Sequence, residues 1–157
     1  MFSRIQKANL YLKLFGIFKI PLIFFCRPKI LTFDQKSIKV RINLNRKTRN
    51  HLRSMYFGTL AVGADITAGF FAMQKINDSG SKVSLIFKDF KADFLKRPEG
   101  DVVFKCDQGP AISDLVKDAV KTRNRVDMPV EVEASVPTIS EDIVAKFRLT
   151  LSLKRKQ

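Results

Sequence analysis

One histidine, His51, and two cysteines, Cys26 and Cys106, set 80 residues apart leave this chain short of the side chains that hold zinc or build a catalytic triad. A zinc site draws on closely spaced Cys and His ligands, so no metal site is expected. No disulfide framework follows from two distant cysteines either, and free thiols fit a reducing cytoplasm. His51 has no positioned Ser or Cys to activate and reads as a loop residue. Acidic residues are scarce in one region. The first 53 residues contain only Asp34 against 13 Lys and Arg, whereas the other 104 hold 14 acids against 16 bases. The net charge of +14 is therefore an N-terminal property. Zinc-ligand pairs and a Gly-flanked aromatic run of the RNA-recognition type are both missing, so nucleic acid is not an expected partner. A solvated basic face, an anionic membrane and a phosphate-bearing ligand remain.

Neither low-complexity tracts nor repeats interrupt the 157 residues, 45% of them hydrophobic, which suits one domain with a sizeable core. Two segments are apolar enough to raise the question of membrane spans. The first, NLYLKLFGIFKIPLIFFCRPK, carries Lys13 and Lys19 and is broken by Pro21, too often interrupted to span. Nothing near Cys26 and Arg27 offers a small-x-small cleavage site, so a signal peptide is not expected. Residues 4–20 suit an amphipathic helix, with Ile5, Leu12 and Phe15 on one side. Such a helix covers a domain's own surface or lies on anionic lipid, which would give peripheral membrane contact through residues 4–25. The second segment runs from Met55 to Met73, with Asp65 as its one charge and glycines at 58, 63 and 69. An Asp at a bilayer centre costs about 2.5–3.5 kcal/mol. A helix apolar on all sides instead marks the centre of a globular fold, and small residues let strands approach its axis.

Around this helix the chain alternates with period two, the mark of strands with one buried face. Ile38, Val40, Ile42 and Leu44 precede the helix. KVSLIFKDF and GDVVFKCD follow it. Val126 to Ala134 and Ile143 to Leu153 close the chain. PAISDLVKDAVKTRNR, with Ile112, Leu115, Val116, Ala119 and Val120 at helical spacing, forms a second, amphipathic helix at the surface. The expected fold is α+β, a strongly curved antiparallel sheet around one long central helix, over residues 34–157, with a basic amphipathic helical extension over 1–33. A four-stranded ferredoxin-like sheet would leave half of the central helix in water.

With this element order, residues 50–65, NHLRSMYFGTLAVGAD, resemble the hotdog-fold thioesterases, in particular the phenylacetyl-CoA-type (PaaI-like) acyl-CoA thioesterases and their uncharacterised relatives. That family commonly carries Asn-x-x-Gly-x-x-His-Gly-Gly at the start of the central helix and an Asp about two turns on. Asn50, Gly58 and Asp65 stand at matching positions, while Arg53, Tyr56 and Phe57 replace the first Gly, the His and the middle Gly. The resemblance spans roughly residues 34–155. It implies hydrolysis of an acyl-CoA or similar thioester to an acid and a thiol, no cofactor beyond the coenzyme A of the substrate, and a homodimer, or a tetramer of paired dimers, with the ligand cleft between subunits.

On the residues themselves, Gly58 and Asp65 lie seven apart and share a helix face with Ala61 and Val62. The N–H groups of Phe57 and Gly58, in the first turn, have no intrahelical partner and can meet an oxygen, helped by the helix dipole. A thioester carbonyl there would be stabilised as it becomes anionic, with Asp65 as general base or nucleophile. An Asp in such a helix equally suits a hydrogen bond to neighbouring backbone or an arginine pair across a dimer. Asn50 orients a water or caps the helix. Tyr56 packs or touches substrate. Arg46, Lys47, Arg49 and Arg53 are the cations nearest in sequence for the coenzyme's phosphates, and their plain role is solubility. The alternative function is a non-catalytic module that holds an acyl chain or an acyl carrier, membrane-associated through its N-terminal helix.

Overall fold

The computed structural model describes all residues, Met1–Gln157. Its elements run α1 (Arg4–Phe18), α2 (Pro21–Cys26), β1 (Lys29–Phe33), β2 (Ile38–Ile42), α3 (Phe57–Ser79), β3 (Val83–Phe94), β4 (Val102–Cys106), α4 (Gly109–Thr122), β5 (Val126–Val136) and β6 (Ser140–Arg155). The six strands form one sheet in the order β1-β2-β4-β5-β6-β3, and every neighbouring pair is antiparallel. α3 packs against five of those strands, so the sheet curls around it as the alternation of apolar residues implies.

Burial follows the period-two pattern closely in β2, where Ile38, Val40 and Ile42 are inside, and along β6 from Ala145 to Leu151. Gly63 of α3 is required by this wrapping. A Cβ there would lie 2.1 Å from the ring of Phe104, the β4 side chain that rests on the helix. α4 is amphipathic as expected, burying Ile112, Leu115, Val116 and Ala119 against α3 and the last two strands.

Three expectations are corrected. The central helix does not end near Met73 but continues to Ser79, where Gly80 closes it with a φ of 68°. The continuation holds Lys75, which is buried because its Nζ donates to the main-chain oxygen of Gln35 at 3.0 Å and to its Oε1 at 2.6 Å. Burial holds the Lys75 pKa below its ordinary value. The helix expected over 4–20 is present as α1, and Pro21 opens the separate short helix α2 at its first turn. The division at residue 33 does not separate a helical extension from the sheet, since Lys29–Phe33 is the sheet's first strand and Ala8, Leu12, Ile23 and Cys26 join the common core. Finally, α1 is not amphipathic. Its buried row, Ala8, Leu12 and Gly16, faces away from an equally apolar exposed row, Leu10, Leu14 and Ile17.

The two edges of the sheet differ. At β1, the Asn9 side chain of α1 accepts from the Ile30 N–H at 2.8 Å and donates to the Ile30 carbonyl at 3.0 Å, closing the strand's outer side at that residue. At the other edge β3 is 12 residues long and leaves Ile86, Phe90 and Phe94 exposed.

Candidate functional site

The loop before α3 is built by its own polar side chains. Thr48 Oγ1 donates to the Asn43 carbonyl at 2.7 Å and accepts from the Asn45 N–H at 2.9 Å. Asn50 Oδ1 accepts from the N–H groups of Leu52 and Ser54, at 2.9 and 3.1 Å. That carboxamide oxygen is therefore spent on a turn, and Asn50 does not cap the helix: the N-cap residue is Tyr56, with no side-chain cap. Arg97 locks the loop from the far side, its Nε donating to Ser54 Oγ at 3.1 Å and its Nη2 to the Leu52 carbonyl at 2.9 Å. Nothing in the local sequence marks Arg97, because it lies 43 residues from Ser54.

The first main-chain bond of α3 runs from the Leu60 N–H to the Tyr56 carbonyl at 3.1 Å, which leaves the N–H groups of Phe57 and Gly58 without protein acceptors. Over them lies Tyr56. A Cβ on Gly58 would be 2.6 Å from its ring, and the ring packs on Phe57 with centroids 4.8 Å apart. This helix start opens into a cavity of about 460 Å³ shared with Asn50, His51, Phe94 and Arg97. Arg46, Lys47, Arg49 and Arg53 stand exposed around the loop. Lys47 Nζ sits 5.3 Å from the ring centroid of Phe25.

Two turns further, roughly 10 Å along the axis, Asp65 occupies the same half-open face of α3 as Gly58, Ala61, Val62, Gly69 and Met73. Its carboxylate lies against Gly69, where an added Cβ would be 3.6 Å from Oδ1 and 3.4 Å from the Phe87 ring. Burial pushes the Asp65 pKa above the ordinary aspartate value, and no hydrogen bond or cation offsets the shift. Asp65 opens into a different cavity from Phe57, one of about 520 Å³ lined mostly by apolar groups, among them Phe70, Met73 and Phe87, with Tyr11, Leu12 and Phe15 of α1 as one wall. The shared helix face is thus present, but within one chain Gly58 and Asp65 do not share a cavity. The α1 wall was not legible in the sequence, which shows only that the segment is apolar.

A curled antiparallel sheet wrapped around a long helix is the hotdog fold, and solved structures bear the fold out. The chain superposes with a TM-score of 0.83 on a Chlorobaculum tepidum protein of unknown function, at 12% identity over 97% of both chains. With a Pseudomonas aeruginosa protein described as of unknown function and a candidate thioesterase, the TM-score is 0.79 at 17% identity, over 95% of this chain and 96% of that one. A thioesterase from Haemophilus influenzae superposes with a TM-score of 0.66 at 10% identity, over 99% and 92%. A family profile, "Domain of unknown function (DUF4442)", matches residues 9–153. The chain belongs to this DUF4442 family, whose match takes in most of α1 as well as the sheet. No functionally curated protein matches it by sequence.

Proposed function

We propose that this protein hydrolyses an acyl thioester of the acyl-CoA class, working as a homodimer. The observation that carries the reading is Asp65, a carboxylate kept half-buried at the edge of an apolar cavity with no partner in its own chain. A buried charge without a partner is unfavourable for folding alone, which makes a chemical role the simpler account. The cavity suits an acyl chain, and the exposed Arg46, Lys47, Arg49 and Arg53 suit the coenzyme's phosphates.

In the reaction Asp65 takes a proton from a water whose oxygen bonds to the thioester carbonyl carbon. The carbonyl oxygen becomes anionic and is held by N–H groups at a helix start. The carbon–sulfur bond then breaks, and the thiolate leaves with the proton, giving a free acid and a thiol. Because Phe57 at the helix start and Asp65 of one chain line separate cavities, the reading places the complete site between two copies. A twofold axis that pairs the two β3 edges would set the helix start of one protomer near Asp65 of its partner, so that both sites are completed together.

A panel of acyl-CoA substrates with thiol release as the readout tests the proposal. Turnover is expected with at least one chain length, and Asp65→Asn is expected to lower it by about 10²–10⁴-fold while keeping the dimer. Full activity in Asp65→Asn would remove Asp65 from the mechanism. One feature favours a second reading, a module that binds acyl thioesters or an acyl carrier without turnover: the Tyr56 ring covers the first turn of α3. Saturable binding of acyl-CoA with no thiol release would support it.

A further inference from the structure

Eleven of the nineteen large apolar side chains exposed on this protein fall within the first 25 residues. Seven of the others, from Leu52 and Tyr56 to Phe94 and Leu95, belong to the α3 start and the β3 edge. The α1–α2 face is thus a separate apolar surface. On α1, Leu10, Leu14 and Ile17 recur at steps of four and three opposite the buried row, with Phe18 beside them 75% exposed. Lys7 and Lys13, three residues to either side of Leu10, flank this ridge. On α2, Leu22 and Phe25 are exposed as well.

The charge around this surface has one sign. Residues 1–29 carry Arg4, Lys7, Lys13, Lys19, Arg27 and Lys29 and no acid, and none of the six ion pairs of the fold involves a residue before Lys88. Beside the ridge a groove of about 670 Å³ opens between α1, α2 and the start of β1, bordered by Lys13, Arg27 and Lys29 next to Phe2 and Phe24. A second copy is a poor occupant, since twofold contact would set these cations against their own copies. A nucleic acid would answer the charge but leave the ridge in water.

We propose that the α1–α2 face docks on a phospholipid bilayer bearing anionic headgroups. Leu10, Leu14, Ile17 and Phe18 enter the boundary between headgroups and acyl chains. Lys7, Lys13, Lys19 and Arg27 lie at the level of the phosphates, with the groove open to a headgroup. The inward side of α1 supplies Leu12 and Phe15 to the cavity beside Asp65, so docking brings that cavity close to the bilayer. The docking does not depend on thioester hydrolysis, and its test reads no turnover.

The full chain is sedimented with vesicles of phosphatidylcholine alone and of phosphatidylcholine with phosphatidylglycerol. Sedimentation with the anionic vesicles is expected, with release at about 1 M salt, where the Debye length falls to about 3 Å. Leu14→Glu with Ile17→Glu should lower partitioning more than about tenfold. Lys7→Glu with Lys13→Glu, which changes only exposed charge and so does not threaten folding, should lower it to a similar extent. Sedimentation that is absent or indifferent to lipid charge overturns the proposal. So does a Leu14→Glu/Ile17→Glu variant that changes the oligomeric state without lipid and leaves sedimentation unaltered, because the face would then belong to a second copy.

Discussion

The two edges of the sheet are finished in different ways. At β1 the chain closes its own edge, with one asparagine of α1 taking both the N–H and the carbonyl of Ile30. At β3 a strand of 12 residues stops in solvent with Ile86, Phe90 and Phe94 exposed, and no helix covers it. An open strand edge is a template for another strand, and natural proteins normally blunt or cover it. The difference teaches where this molecule is complete and where it waits. The N-terminal helices complete one edge and turn an apolar, basic face outward. The β3 edge, close to the start of α3 through the packing of Phe94 on Phe57 at 6.5 Å, is the side on which a second copy would complete the site.

The sharpest way to break this comparison is to charge the open edge. Ile86→Lys with Phe90→Lys is expected to convert the proposed dimer to monomers in analytical ultracentrifugation and to lower turnover by more than about 10²-fold. Vesicle binding should be unchanged. A dimer that survives would place the interface elsewhere.

The closed edge offers a smaller effect. Asn9→Ala leaves the N–H and carbonyl of Ile30 without their partner and should lower the unfolding free energy by about 1–2 kcal/mol, read from urea denaturation. The proposed dimer should remain intact. A loss of the dimer, rather than of stability, would mean that the two edges do not have the separate roles assigned to them.

The smallest effect separates chemistry from folding. Because burial raises the folded pKa of Asp65 above its unfolded value, the fold disfavours its charged form. Below the unfolded value the group is neutral in both states and no penalty applies. The penalty enters as pH rises through the folded value. Asp65→Asn should therefore be more stable than the parent protein by about 1 kcal/mol near neutral pH. The gap between the two melting temperatures should shrink in acid. An Asp65→Asn protein less stable than the parent at neutral pH would show that the carboxylate has a structural partner in the assembly.

Much of the architecture was legible because burial is one-sided. The alternation in β2, β5 and β6, and the absence of charge in α3 up to Met73 apart from Asp65, follow directly from a sheet with one wet face around a dry helix. β1 was not legible: its pairing register shifts between Ile30 and Thr32, which disturbs the period-two signal in a strand of five residues. The end of α3 was hidden by Lys75 and Asp78, since a buried lysine reads as a boundary until Gln35 is seen to satisfy it. The candidate site was half legible. Helical spacing correctly put Gly58 and Asp65 on one face. That Asp65 opens into a cavity apart from the one at the helix start depends on α1 and β3, which reach Asp65 only through tertiary packing.

The most direct measurement is a crystal structure of the protein with an acyl-CoA analogue in which a methylene group replaces the thioester sulfur, leaving a ketone that water cannot cleave. The acyl chain is expected in the cavity between α1 and β3, with the ketone carbon about 3–3.5 Å from a water held by Asp65 or from its carboxylate. An analogue bound with its carbonyl remote from Asp65, or an Asp65 paired in the dimer and closed off from ligand, would contradict the account.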